Sequence, residues 1–192
     1  MVNASDLRGG MVVIIDGEPF RVIEAEFRVG QGKMPGSVHA KMRDVLKGTM
    51  KEFRFRPEER LEDTILEKHN MEFLYSDADS ATFMDPQTFE QVTVPISTIG
   101  PGHIFLKPEM TIPVEFYNGR PVSIILPETV DLRVETTAAP AHQQQDSTLK
   151  PAILENGMEV MVPQFIAPGE IVRIDVATGK YVERLRKDAK RF

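Results

Sequence analysis

The chain has 192 residues, of which 41% are hydrophobic and 27% charged, as expected for a folded protein of one large domain or two to three small ones. It has no cysteine, which excludes disulfide frameworks, thiolate nucleophiles and cysteine zinc sites. The net charge is −6, and no apolar run near the N-terminus is long enough for a signal peptide or a membrane span. We therefore expect a cytoplasmic protein with no membrane partner.

The acidic excess is confined to the middle of the chain. Residues 1–63 hold 11 basic and 11 acidic side chains, residues 64–128 hold 3 and 9, and residues 129–192 hold 9 and 9. Phosphate would repel the middle third, whereas each outer third could carry a basic face. This distribution fits a protein that contacts RNA at its two ends, although many proteins that contact no RNA share it.

Short segments rich in β-branched and aromatic residues recur along the whole chain. Turn sequences such as Asp16-Gly17 and Asn118-Gly119 separate them, which predicts antiparallel hairpins rather than βαβ units. The predicted strands are Met11–Ile15, Phe20–Arg28, Val38–Val45, Met50–Phe55, Met71–Ser76, Ala81–Asp85, Thr111–Tyr117, Val122–Leu126, Val130–Thr136, Glu159–Val162, Ile171–Asp175 and Tyr181–Arg186. The sequence therefore predicts an all-β fold of small barrels.

One short helix and two domain limits are also predicted. The helix covers Pro86–Val92, with Asp85 as its N-cap and Pro86 at its first position. The domain limits lie in the charged stretch Pro57–Asp63 and near Pro127-Glu128. They divide the chain into domains 1–63, 64–128 and 129–192, each at the small end of the usual size range.

A glycine-rich loop follows the second predicted strand and has Lys33 near its centre. Glycines permit positive φ and close backbone approach, and proline fixes one φ, so the loop can project as a narrow hairpin. A lysine at such a tip suits phosphate contacts or covalent modification. An ordinary turn with a solubilising lysine is the alternative. The other loop-tip residues are Gly30, Gly32, Met34, Pro35 and Gly36.

Four basic residues flank this loop on the adjoining strands: Arg28, Lys41, Arg43 and Lys47. Lys41 and Arg43 are two positions apart, so they share one face of a strand. The pattern predicts a stripe that could bind phosphates, and a solvated strand face explains it nearly as well.

Enzyme motifs are missing from the sequence. The four histidines are widely separated and none has a partner at metal-ligand spacing. Gly30-Gln31-Gly32 resembles the start of a dinucleotide loop, but no helix is predicted after it. We therefore expect a binding protein without catalytic residues, metal or cofactor.

The segment Lys150–Gly169 carries the most specific pattern in the chain. It reads Lys-x-Ala, four residues, Gly157, two residues, an aliphatic residue, one residue, Val162-Pro163, and then Ile166 and Gly169. This pattern resembles the signature of the elongation factor P family. Further stretches are similar to other parts of the family: residues 7–12, 16–22, 41–49, 71–75, 83–85 and 178–184.

The resemblance implies an N-terminal SH3-like (KOW-type) barrel followed by two OB-fold β-barrels. It also implies a monomeric translation elongation factor that contacts both ribosomal subunits between the P and E sites. Such a factor stimulates peptide bond formation on peptidyl-tRNA stalled at consecutive prolines.

The resemblance also assigns roles to individual residues. Lys33 would contact the CCA end of the P-site tRNA and could be the substrate of a lysine-modifying enzyme. Candidates for contact with the tRNA backbone are Arg28, Lys41 and Arg43. Candidates in the last domain for contact with tRNA or the small subunit are Asp146, Thr148, Tyr181 and Arg184.

Two loops depart from the family pattern. Members with a modified lysine often read Pro-Gly-Lys-Gly at the tip, whereas Met34 follows Lys33 here, which leaves the modification open. The family sequence Gly-Asp-Thr is replaced by Gln145-Asp146-Ser147-Thr148, without the glycine.

Two rival interpretations remain. A paralogous elongation factor P-like protein is disfavoured by lysine rather than arginine at the tip. A generic OB-fold protein that binds single-stranded nucleic acid is disfavoured by the acidic middle third and the absence of tryptophan.

Overall fold

The computed structural model describes residues 1–30, 36–139 and 149–185, and almost all of its regular structure is β-strand. The strands form three antiparallel sheets that follow one another along the chain. The predicted all-β fold is therefore confirmed.

The first sheet contains six strands in the order β1-β6-β2-β3-β4-β5. Their ranges are β1 Val2–Asn3, β2 Val12–Ile15, β3 Glu18–Arg28, β4 Ser37–Asp44, β5 Met50–Phe55 and β6 Arg60–Thr64, with a 3-10 turn at Ala4–Asp6. Asp16 and Gly17, between β2 and β3, both have positive φ, as a two-residue hairpin turn requires. The core of this sheet includes Phe20, Val22 and Met42, all essentially inaccessible to solvent.

The second sheet contains five strands in the order β11-β10-β7-β8-β9. Their ranges are β7 Glu67–Ser76, β8 Ser80–Met84, β9 Gln91–Pro95, β10 Thr111–Tyr117 and β11 Arg120–Ile124. A short helix, α1, covers Ile96–Ile99, and a 3-10 helix covers Pro101–Phe105. The outer strands β9 and β11 approach each other, so the sheet curls into a barrel around Phe73, Phe83 and Val94.

The third sheet repeats this topology. Its strands are β12 Thr129–Thr137, β13 Leu149–Leu154, β14 Glu159–Pro163, β15 Ile171–Asp175 and β16 Tyr181–Leu185, in the order β14-β13-β12-β15-β16. In both five-stranded sheets the first strand lies centrally, the second and third lie on one side, and the fourth and fifth on the other. This is the strand order of a five-stranded Greek-key OB-fold barrel. The N-terminal sheet is thus followed by two OB-fold barrels, as predicted.

The helix predicted at Pro86–Val92 is wrong. Asp85 Oδ1 does accept backbone N–H groups, from Gln87 at 2.7 Å and Thr88 at 3.1 Å, but it closes a turn instead of capping a helix. Phe89 then adopts a φ of +61°, which no right-handed helix allows, and β9 begins at Gln91. The Asp-Pro pair predicted the turn-forming hydrogen bonds but not the structure that follows them.

Four strands were not predicted from the sequence: β1, β6, β9 and β13. The most informative is β6, because it lies inside the charged stretch Pro57–Asp63 that we interpreted as a domain limit. In β6 only Leu61 is buried, and the neighbouring residues Arg60 and Glu62 are exposed. One buried side chain gives too little hydrophobic alternation to mark a strand, whereas backbone pairing to β1 and β2 defines it.

The chain divides into two compact units. One comprises Met1–His103 with Lys107–Ile125, and the other comprises Ile104–Leu106 with Leu126–Phe192. The first unit holds the first two sheets and the second holds the third sheet. The three-domain division at residues 63 and 128 remains a prediction. Within the described residues, no helix is long and apolar enough to cross a membrane.

Candidate functional site

The predicted lysine loop connects β3 to β4, and the structure describes its two ends. The last paired residues are Arg28 on β3 and Ser37 on β4. Val29, Gly30 and Gly36 are described, whereas the predicted site residues Gly32, Lys33, Met34 and Pro35 lie outside the described residues. At 11 residues, β3 is the longest strand in the described part of the chain, so the loop starts at the end of an extended strand pair.

Gly36 has close neighbours that a larger side chain would have to displace. A Cβ atom added there would lie 2.8 Å from Cζ of the Phe27 ring and 3.1 Å from the carbonyl oxygen of Arg28. Both distances are shorter than ordinary van der Waals contact. Phe27 itself is 54% exposed, so the aromatic ring lies over the backbone at the base of the loop. The glycine at position 36 therefore serves close approach at the base.

The outward face of β3, β4 and β5 carries both signs of charge. Lys41 is paired in register with Glu24 on β3 and Glu52 on β5, and both carboxylates are exposed. Arg28 donates from Nε and Nη2 to Glu26 Oε2, each at 3.1 Å. The predicted basic stripe is therefore interleaved with carboxylates, which reduces its attraction for phosphate.

Arg43 lies in a different environment from Lys41, although the two share one face of β4. Lys41 is exposed, whereas Arg43 is half-buried and its Nε is fully buried without a hydrogen-bond partner in the described protein. Arg43 lines a cavity of about 180 Å³ together with Asp44, Thr98 and other residues of the first two sheets. Of the three residues predicted to contact the tRNA backbone, Arg28 and Lys41 are therefore exposed on the surface.

The candidates in the third sheet are partly described. Arg184 donates from Nη1 to Glu170 Oε1 at 3.3 Å, and its guanidinium lies 5.1 Å from the centre of the Phe165 ring. Tyr181 is partly buried, and burial raises the pKa of its hydroxyl above the ordinary value. Asp146 and Thr148 lie outside the described residues.

Three polar contacts hold the ends of the segment that contains Asp146. Thr137 Oγ1 donates to the carbonyl oxygen of Pro151 at 2.9 Å, and Gln164 Nε2 donates to that of Leu149 at 3.0 Å. Lys150 Nζ donates to the carbonyl oxygen of Ala138. Sequence reasoning gave these residues no role at the loop ends, because no local pattern reports contacts across a sheet.

The signature pattern Lys150–Gly169 has a structural explanation. Lys150, Ala152, Val160, Val162 and Ile166 are all buried in the third barrel. Gly157 and Gly169 have φ of +80° and +84°, which L side chains rarely adopt. The fixed positions of the pattern are therefore the core and turn positions of β13, β14 and the segment after them.

Metal chemistry finds no support in the described ranges, since none of their His, Asp and Glu residues form a group of three or more that could hold an ion.

Three family models match the chain in succession. The elongation factor P KOW-like domain matches residues 3–61, the elongation factor P OB domain matches 66–124, and the elongation factor P C-terminal model matches 130–184. Each match coincides with one of the three sheets.

Relatives named elongation factor P match over nearly the whole length. The protein of Rhodospirillum centenum is 40% identical over 186 residues, covering 96% of this chain and 98% of that protein. The protein of Clostridium tetani is 37% identical, with 96% and 100% covered. Among solved structures, the chain is similar to the eukaryotic translation initiation factor 5A from Methanococcus jannaschii, with a TM-score of 0.43 and 26% identity over 59% of this chain and 82% of that one. On the family models and the curated relatives, the chain belongs to the elongation factor P family.

Proposed function

We propose that this translation factor binds the ribosome between the P and E sites and stimulates peptide bond formation on peptidyl-tRNA stalled at consecutive prolines. The observation that carries the proposal is the ordered match of all three family models along the chain. The β3–β4 loop with Lys33 would order the CCA end of the P-site tRNA. The factor acts in the cytoplasm as a monomer and performs no chemistry itself.

The proposed mechanism is positional. A peptidyl-prolyl tRNA is a rigid, hindered donor, so the reacting atoms rarely reach attack geometry. A lysine ammonium near the CCA end would restrict the motion of that end through phosphate or hydroxyl contacts. Correct positioning can supply several kcal/mol, which corresponds to about a thousandfold in rate or more.

The basic side chains on the described surface of the first sheet favour a contact with RNA at the β3–β4 loop and next to it. Lys41 has no ion pair among the described residues, so its ammonium could reach an RNA phosphate, while Arg28 would first have to separate from Glu26. We assign the tRNA backbone contact to Lys41 and, with less direct support, to Arg28. In the third barrel, Arg184 and Tyr181 are the described candidates for contact with tRNA or the small subunit, next to Asp146 and Thr148.

The experiment that tests the proposal is in vitro translation of a reporter containing three consecutive prolines, with and without the protein. Lys33→Ala should abolish the relief of stalling, whereas Lys68→Ala, which removes an exposed lysine of β7, should leave it intact. Equal relief by wild type and Lys33→Ala would contradict the role of Lys33. Failure of the wild type to relieve stalling would contradict the function itself.

A second pair of measurements addresses the chemical state of Lys33. Lys33→Arg keeps the positive charge but removes the amine on which a modifying enzyme would act. If a bare cation is sufficient, Lys33→Arg retains most of the activity. The intact mass of protein from its native host shows directly whether an adduct is present.

A further inference from the structure

The first two sheets meet within the first compact unit through a small apolar cluster. Val12 and Val45 come from the first sheet and the turn after β4, Leu66 lies between β6 and β7, and Val122 is on β11; all four are buried. Leu46 and Tyr117 pack against them. This contact excludes water at the point where the chain passes from one barrel to the next.

A second contact joins the turn after β4 to helix α1, and it depends on Gly48. Gly48 has a φ of +75°, and a Cβ atom there would overlap the carbonyl oxygen of Ser97 and lie 2.9 Å from its carbonyl carbon. The atoms it would meet are backbone, which cannot rotate away as a side chain could. The glycine thus lets the backbone of the first sheet touch the backbone of the second.

A third contact is a partly buried ion pair. Arg21 on β3 donates from Nη2 to Glu115 on β10; Glu115 is only 3% exposed, whereas the Arg21 side chain is 27% exposed. Arg43 lies opposite Arg21 in the register of β3 and β4, and Arg43 and Asp44 line the same cavity as Arg21. Removing one partner of a buried pair leaves the other charge unpaired, so such a pair strongly favours the arrangement in which both meet.

We propose that Gly48 and the Arg21–Glu115 pair lock the first two barrels into one rigid arm. Small interfaces between domains normally permit relative motion. Here an apolar cluster, a backbone contact and a partly buried ion pair act at separate points, which together oppose rotation about any single one. Arg43 lies at this joint.

The consequence for activity rests on the proposed function. If Lys33 positions the CCA end, its location is set by the barrel that carries β3 and β4. The joint then determines where the tip lies relative to the second barrel. Gly48 and Glu115 are therefore positioning residues that act through the orientation of the first barrel.

The test is the measurement of amide residual dipolar couplings on the full 21.6 kDa chain. A rigid arm predicts that couplings from the first and second sheets fit a single alignment tensor. Gly48→Ala should lose this single fit, because the added methyl separates the turn from α1. Gly17→Ala is the matched control, since Gly17 also has a left-handed φ, +80°, but no atom within 4 Å of the added Cβ.

Glu115→Gln serves as a second variant that keeps the shape of the side chain and removes its charge. It should also lose the single fit if the ion pair contributes to the lock. Two separate tensors in the wild type would overturn the proposal, and so would a single, unchanged tensor in both Gly48→Ala and Glu115→Gln. Couplings within each sheet report whether the individual barrels remain folded.

The triple-proline reporter separates this proposal from the proposed function. If Gly48→Ala loses the single tensor and also loses relief of stalling, both are supported. If Gly48→Ala loses the single tensor but still relieves stalling, the proposed joint is supported and the proposed role of the joint in positioning Lys33 is wrong. Inactivity of the wild type would count against the proposed function alone, because the couplings are measured without the ribosome.

Discussion

Asp44 offers a direct test of how burial strengthens a turn. Its carboxylate is buried at the end of β4, and Oδ1 accepts the backbone N–H groups of Leu46 and Lys47, each at 2.9 Å. The same turn contains the bond from Gly48 N to the carbonyl oxygen of Asp44, at 2.8 Å. The substitution Asp44→Ala removes both side-chain bonds and leaves the two backbone N–H donors without this acceptor.

The magnitude follows from the two bonds. A hydrogen bond to a charged group contributes about 1.5–3 kcal/mol, and relief of the buried carboxylate's desolvation offsets part of the sum. We expect the free energy of opening of the turn to fall by about 3 kcal/mol, which corresponds to an equilibrium constant for opening that is roughly a hundredfold larger. Asp44→Asn keeps an acceptor oxygen and should lose much less.

The assay is native-state hydrogen exchange at the amides of Leu46 and Lys47, which report the turn itself and not the unfolding of the whole chain. Asp85→Ala provides the comparison, because Asp85 Oδ1 also accepts two backbone N–H groups, from Gln87 and Thr88, in an exposed turn. The reasoning would be refuted if Asp44→Ala raised exchange no more than Asp85→Ala does at its own turn.

Three further predictions concern other turns. Asp175 accepts the backbone N–H and the hydroxyl of Thr178, which lowers the pKa of its carboxyl below the ordinary 3.8. The ionised Asp175 carboxylate therefore stabilises its turn above about pH 4, and this stabilisation is lost as the pH falls through the lower pKa of the folded state. Exchange of the Thr178 amide, measured from about pH 5 to 2, should show this loss. Phe89 is 69% exposed and has a φ of +61°, so Phe89→Gly should stabilise the second barrel by about 0.5 kcal/mol in urea unfolding, while Phe89→Ala, which keeps the strain, should not. Gly36→Ala should lower the free energy of unfolding by about 1 kcal/mol, and the additional substitution Phe27→Ala should restore part of that loss. Strict additivity in the double-mutant cycle would show that the Phe27 ring and the added methyl group do not meet.

Local patterns predicted much of the architecture. Alternating hydrophobic residues and Asp-Gly or Asn-Gly turns identified most of the strands, since side-chain alternation and positive φ are properties of a few neighbouring residues. The signature at Lys150–Gly169 was recognisable for the same reason, because its fixed residues occupy core and turn positions within one stretch of chain.

Other features were decided only by the tertiary structure. Strand β6 has a mostly charged sequence, so hydrophobic alternation did not identify it. Asp85 and Pro86 predicted a helix, whereas the positive φ of Phe89 shows that the chain forms a turn there. Arg43 was grouped with Lys41 by spacing, yet Arg43 is half-buried and lines a cavity together with residues more than fifty positions away, such as Thr98 and Ile124.

The lysine loop was found from its glycines, and the close approach of the Phe27 ring to Gly36 emerged only from the fold. Sequence by itself determined most of the strands, their turns and the family, because these depend on short-range alternation and on residues that permit unusual backbone angles. The joint between the first two barrels depends on pairs such as Arg21 and Glu115, which are 94 residues apart. Only folding brings those side chains together and buries the Glu115 carboxylate, so no local pattern could have predicted the joint.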